Sequence, residues 1–376
     1  MSTKLVSTGV QFPDSSIQTT SSAGGSTTFD GMSDTTVSTT DPAIDTNPSA
    51  TGHIWLNKTS GEYYICTDNT AGSNVWTNVG EGVDGVVPAV WYGDRGLFGS
   101  SWGNGTVIDY ISIGSTGNAI DFGDMSVSRY GSGGLSNATR GVFGGGNTWY
   151  TKSNIMDYVT IASTGNGTDF GDLTTSRDGV GGCCDGTRGL FAGSDAPYSN
   201  VIDYITVDTT GNATDFGNLT LARMAMGSFS DGTKGVWGGG QHAAGTASTN
   251  IIDYVTISTT GNAADFGDLT VSRYNPGGTS NDTRGLFAGG YAGYSNVIDY
   301  ITIASTGNAT DFGDLIAARN GPRGAADGAR AVFGGANNGG STYNLIDYVT
   351  IATTGNAADF GDLTVARSPA TAFSGD

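Results

Sequence analysis

The string "IDYITIASTGNATDFGDL" at residues 298–315 recurs in near copy five more times along the chain. The aspartate of its "DY" pair stands at Asp109, Asp157, Asp203, Asp253, Asp299 and Asp347, in steps of 46 to 50 residues. No other feature limits the fold as strongly. A unit this short cannot enclose a core of its own, so its apolar faces are buried against copies of itself. A period near fifty suits one four-stranded propeller blade.

The fifth unit shows the expected strands. "TRGLFAGG" (residues 283–290) is a short apolar strand ending in glycines. "NVIDYITIAS" (296–305) is β-branched and aromatic, which favours a strand. Gly307-Asn308 reads as a two-residue hairpin turn, with glycine supplying the positive φ. "TDFGDLIAAR" (310–319) returns as the next strand, and "NGPRGAADG" (320–328) is small enough for a crowded inner strand. The 63 glycines and the abundant serine and threonine agree with a turn-rich all-β chain. The ending "RSPATAFSGD" matches the inner-strand segment "RMAMGSFSDG". Residues 368–375 are therefore expected to supply the inner strand of the first unit and close the ring. The competing donor is "VVPAVWY" at residues 86–92.

The order of small inner strand, "GLFAGG", "VIDYITI" and "DFGDLTVAR" resembles the kelch repeat. The glycine doublet of that family is present as Gly145-Gly146, Gly239-Gly240 and Gly289-Gly290, and degrades to Ser100-Ser101, Gly193-Ser194 and Gly335-Ala336. Its tyrosine is kept as Tyr110, Tyr158, Tyr204, Tyr254, Tyr300 and Tyr348. Its tryptophan position holds Phe122, Phe170, Phe216, Phe266, Phe312 and Phe360. The resemblance covers residues 85–376 and implies a six-bladed β-propeller, with little said about function.

Charge is placed by the repeat too. Twelve of the sixteen basic residues occupy two repeated positions. One is Arg95, Arg140, Arg188, Lys234, Arg284 and Arg330; the other is Arg129, Arg177, Arg223, Arg273, Arg319 and Arg367. Lys4, Lys58, Lys152 and Arg323 remain. A ligand site is seldom needed six times, whereas a tie between or within blades is. Partly buried arginine–aspartate pairs are expected. The "GNATDFGD" loops lack the alternating acids of a calcium loop, so no metal is expected, and no cofactor. Cys66, Cys183 and Cys184 fit no zinc spacing and read as packing residues. A net charge of −19 argues against nucleic acid as partner. No apolar run is long enough to span a bilayer as a helix, and the first residues lack a signal-peptide segment.

Alternating strand direction puts the loops on two rims. The "STGN" connections and "SNDT"-type turns share one rim and are nearly constant. The other rim varies: "SSWGNGT", "GNTWYTKS", "SDAPYS", "GQHAAGTAST", "GYAGYS", "ANNGGSTY". Loops that vary on a fixed scaffold carry binding. The candidate ligand-binding residues are Trp102, Trp149, Tyr150, Tyr198, His242, Tyr291, Tyr294 and Tyr343, with Tyr130 and Tyr274 nearby. Aromatic faces beside Asn, Ser and Asp suit a sugar or a protein surface.

Residues 1–50 are rich in Ser, Thr and Asp. Within them "STGVQFPDSSIQTTSS" resembles a segment near the start of many bacteriophage tail-fibre and virion proteins, with Ser15 where glycine is usual. "GHIWLNKTSGEYYICTDNTAGSNVWTNVGEG" (52–82) reads as three strands with Trp55 and Trp76 as a miniature core, and resembles small β modules of phage virion proteins. The organisation expected is an extended virion-attachment segment (1–50), a small β module (51–84) and the propeller (85–376). The resemblance implies a virion protein on the tail or particle surface, with other virion proteins as partners through its N-terminal segment. It implies a host-surface glycan or protein as partner at the rim. Fibre proteins of this kind are often homotrimers. The competing reading is a purely structural virion component, a capsid decoration or baseplate adaptor. Catalysis is not expected: residues 85–376 contain no glutamate and a single histidine, His242, too few for a glycosidase pair or a Ser/His/Asp triad.

Overall fold

A computed structural model describes residues 4–6, 9–11, 17–18, 35–43, 46, 48, 50–57, 59, 62–71, 74–80, 93–101, 105–242, 247–367 and 371–376. The described residues hold strands and no helix, and they fall into two compact units, Met1–Val87 and Pro88–Asp376.

In the first unit Ile54–Asn57 and Tyr63–Asp68 pair antiparallel, and Val75–Gly80 adds beside the latter. Thr35–Ser38 pairs parallel with Ile54–Asn57, so the sheet crosses the boundary at residue 50 read from composition. Trp55 and Trp76 meet edge to face at 5.8 Å, and Cys66 is buried. Lys4–Val6, Gly9–Gln11 and Ile17–Gln18 form a separate three-stranded sheet within the segment expected to be extended.

The second unit is β-propeller-like. Sheets II to VI each run in chain order from an inner strand outward: from Gly133–Ser136, Gly181–Cys184, Gly227–Ser230, Gly277–Ser280 and Arg323–Ala326 respectively. Sheet I is composite. Thr371–Gly375, from the end of the chain, pairs antiparallel with Arg95–Gly99, which continues to Val107–Ser112 and Ile120–Asp124. Residues 368–370 and the competing segment 86–92 lie outside the described residues.

The core sits between successive sheets. Leu286, Phe312 and Leu315 of sheet V pack with Ala326, Phe333 and Val349 of sheet VI. Sheet VI packs on sheet I in the same way, through Val332, Ile346 and Phe360 against Phe98 and Ile111. The third strand Val297–Thr302 explains why one string serves two interfaces: it buries Ile298, Asp299 and Ile301, while Tyr300 stays half-buried under Arg284.

The inner strands are crowded, as their small residues demand. A Cβ on Gly182 would lie 2.5 Å from the Gly134 carbonyl oxygen. Serine hydroxyls bridge neighbouring inner strands: Ser136 donates to Ser374 O, Ser280 to Ser230 O and Ser374 to Ala326 O, at 2.5–2.6 Å.

The "STGN" connection departs from the two-residue turn expected of it. In sheet V the strands end at Thr302 and resume at Thr310, and Gly307 does not take a positive φ. The loop is long because it serves the neighbouring sheet. Gly307 N–H donates to Phe266 O and Ala309 N–H to Asp268 O, both at 2.8 Å, while Asn308 Oδ1 accepts Asp268 N–H at 3.1 Å. The outermost strand of sheet IV is thus covered at its edge. Equivalent bonds join every successive pair, and Gly117, Asn118 and Ala119 of sheet I clasp Phe360 and Asp362 of sheet VI. The glycine that needs a special backbone is the one in "DFGD". Gly313 sits at a bulge with φ +146°, and a Cβ there would lie 2.4 Å from the Gly355 carbonyl oxygen.

The two repeated basic positions have different partners. The set in the linkers forms buried ion pairs with the third strand of the next sheet: Arg129–Asp157 (3.1 Å), Arg223–Asp253 (2.9 Å), Arg273–Asp299 (3.0 Å) and Arg319–Asp347 (3.2 Å), with Arg177–Asp203 and Arg367–Asp109 paired alike. These pairs join the linker after one sheet to the sheet that follows. Burial holds the guanidinium of Arg273 below its ordinary range, against the pull of Asp299. The other set makes no aspartate pair among the described residues. Arg284 lies over the Tyr300 ring at 4.4 Å and donates to Ile351 O at 2.8 Å, tying sheet V to sheet VI. The exposed aspartates beside "FG", such as Asp311, take no part in these ion pairs.

Candidate functional site

Loops after the second and fourth strands of each sheet share one rim, and the constant "STGN" loops share the other. On the variable rim each second strand turns away through a left-handed residue. In sheet IV Gly239 has φ +68°, and Gly240 N–H donates to the carbonyl of Arg273, the ion-pair arginine. A rigid, repeated joint therefore carries each variable loop.

The aromatic side chains chosen from the sequence form two clusters and several solitary residues. Tyr291 packs at a tilt on Tyr274 with centroids 5.1 Å apart and meets Tyr294 edge-on at 4.9 Å. Trp149 meets Tyr130 edge-on at 6.0 Å. Tyr150 is 94% exposed, the most open large apolar side chain described. Tyr198, His242 and Tyr343 are half-buried in their own loops, and Tyr343 Oη accepts from Asn338 Nδ2 at 2.7 Å. Trp102 lies outside the described residues.

Where the inner strands meet this rim, a cavity of about 250 Å³ opens. Tyr130, Tyr274, Asn275 and Arg323 line it, together with Asp178 and Asp195. Two methionines, Met224 and Met226, supply an apolar wall. The two clusters thus share the mouth through Tyr130 and Tyr274, residues that sequence reading set only beside the candidates.

Electrostatics at the mouth are uneven. Asp178 is paired with Lys152 at 3.4 Å and accepts from Asn147 Nδ2 at 3.1 Å. Lys152 Nζ also donates to the carbonyls of Asp195 and Ala196, at 2.7 Å each. Burial raises the Tyr130 hydroxyl pKa, and the charges of Asp178 and Asp195 add to the rise. Burial likewise raises Tyr274, with Tyr291 and Tyr294 contributing. Arg323 differs from Lys152, the other cation at the mouth. It makes no ion pair among the described residues, and burial lowers its guanidinium to about 10.

Sequence reading missed Arg323, Asn275, Asp178 and Asp195 as site residues. The signal that marks three of them was already present. Lys152 and Arg323 are the basic residues of 85–376 outside the repeated positions, and Asp178 and Asp195 are likewise acids that the repeat does not require. All four converge here. Comparison of the chain with protein-family models and with curated proteins finds no match in either.

Proposed function

We propose that this chain is a non-enzymatic virion protein of the bacteriophage tail-fibre type: a six-bladed, kelch-like propeller that binds a host-surface glycan through its variable rim, attached to the particle by residues 1–84. One observation carries the reading. Most departures from the repeat, in loop content, aromatic rings and unrepeated charges, gather at one rim and its axial mouth, while the other rim stays nearly constant. Sixfold constancy serves closure; irregularity concentrated at one face serves recognition. Tyrosine and tryptophan faces beside Asn and Asp match the C–H faces and hydroxyls of a sugar. The tail-fibre-like segment at residues 7–22 supports attachment to a particle.

The full chain on a glycan array, and in pull-down with host cells, tests this. Binding is expected, and W149A/Y150A should weaken it at least fivefold with an unchanged melting temperature. Absence of binding to any glycan or cell surface, together with an internal position on particles, would replace this reading with that of a structural virion component.

A further inference from the structure

We infer that the axial mouth is a subsite for a carboxylate-bearing sugar residue, with Arg323 as its carboxylate anchor. The inference rests on the proposed glycan-binding function and names the chemical class of ligand.

The first observation is positional. In register, Arg323 pairs with Gly334 where Gly133, Gly181, Gly227 and Gly277 pair with the equivalent residues of their own sheets. Four inner strands thus hold glycine where this one holds arginine, and no other inner strand carries a charge. The ring does not need a cation here.

The second observation is chemical. A guanidinium has five N–H donors. Arg323 donates to Asn275 Oδ1 at 2.8 Å and to Pro322 O at 3.5 Å, both neutral acceptors. Among the described residues its remaining donors have no protein partner, and the side chain lines the cavity. Asn275 holds the guanidinium in place. Its own backbone is fixed at φ +60° by a hydrogen bond from its N–H to Ala225 O at 2.6 Å. An oriented arginine without a counter-charge is built for a carboxylate, which it grips with two parallel hydrogen bonds.

The third observation separates a sugar from a bare anion. Tyr130 and Tyr274 line the same cavity as Arg323, and Asp178 and Asp195 line it as well. Tyrosine faces pack on a pyranose ring, and carboxylates accept from its hydroxyls. Lys152 balances Asp178, and the Asp195 carboxylate accepts the Ala196 N–H at 2.6 Å; neither acid pairs with Arg323 among the described residues. A free inorganic anion would leave the aromatic and acidic groups unused.

The test titrates the full chain with N-acetylneuraminate, galacturonate and neutral galactose, read by saturation-transfer NMR and calorimetry. The variants are R323G, which installs the residue that four of the other inner strands hold, and R323K. Acidic sugars are expected to bind the natural chain in preference to galactose. R323G should weaken them about tenfold or more, with the melting temperature kept, since one charge-assisted pair is lost. R323K should fall between. Acidic sugars that bind R323G as well as the natural chain, or neutral glycans that bind while acidic ones do not, overturn this inference and leave the glycan-binding reading standing. If no sugar of either kind binds in solution or on the array, both fall.

Discussion

Arg273 and Asp299 give the sharpest energetic test of the ring. Both side chains are 0% exposed and 3.0 Å apart. Replacing Arg273 with methionine keeps most of the volume and strands the carboxylate. Asp299 then retains the Thr270 hydroxyl at 2.6 Å and the Thr270 N–H at 3.2 Å, while Phe287 O loses the Arg273 Nη2 donor. Breaking one half of a buried pair typically costs about 3–5 kcal/mol, and the surviving Thr270 bonds place R273M near the lower end. For a unit of this size that is a fall of roughly 5–8 °C in melting temperature. The double variant R273M/D299L removes both charges and should recover to within about 1–2 kcal/mol of the natural chain. R284M is the control: it loses a half-exposed stacking contact and one bond to a carbonyl, about 1–2 kcal/mol. Denaturation in guanidinium, followed by tryptophan fluorescence, to which the buried Trp237 contributes, reads all four proteins. A loss below about 1 kcal/mol in R273M would refute the reasoning. So would a double variant no more stable than R273M.

Three further outcomes follow from the same geometry. G313A should destabilise by roughly 2 kcal/mol or more, since it combines backbone strain at φ +146° with a Cβ 2.4 Å from the Gly355 carbonyl oxygen. G307A, where a Cβ meets nothing within 4 Å, should stay within about 0.5 kcal/mol; equal losses in thermal melts would contradict the clasp described for the "STGN" loop. Deleting residues 371–376 removes the inner strand of sheet I and should abolish the cooperative transition of the second unit, whereas a truncated chain that melts like the natural one rules out closure by this segment. Burial raises the Cys183 and Cys184 thiols above their ordinary range, so both should resist a thiol reagent at pH 8 until the unit unfolds; prompt labelling in the native state would show the inner strands to be open.

Much of the fold could be read from residue order alone. The repeat gave the strands, the small inner segments, and the match of "ATAFSGD" to an inner strand. Periodicity says where like residues recur, and a strand is a local consequence of that. The loop "STGN" was misread because its partner lies some forty residues earlier, in the outermost strand of another sheet, and a glycine-asparagine pair carries no mark of that distance. The two arginine positions look alike in sequence for a similar reason. One is sealed against Asp299 and its equivalents, the other lies on a tyrosine ring. Only the register of the third strand, with Asp299 turned inward and Tyr300 outward, separates them. At the candidate site the aromatics were visible as loop content. Tyr130 and Tyr274, at the ends of linkers, were brought to the axis by packing. Arg323 was legible only as a charge that the repeat did not ask for.

The most direct test is a crystal or electron-microscopy structure of the full chain with the tightest glycan from the array bound. The account predicts a closed ring of six sheets, with an acidic sugar at the axial mouth between Arg323 and Tyr274. A ligand held on the constant "STGN" rim or on residues 1–84, or a ring with another number of sheets, would contradict it.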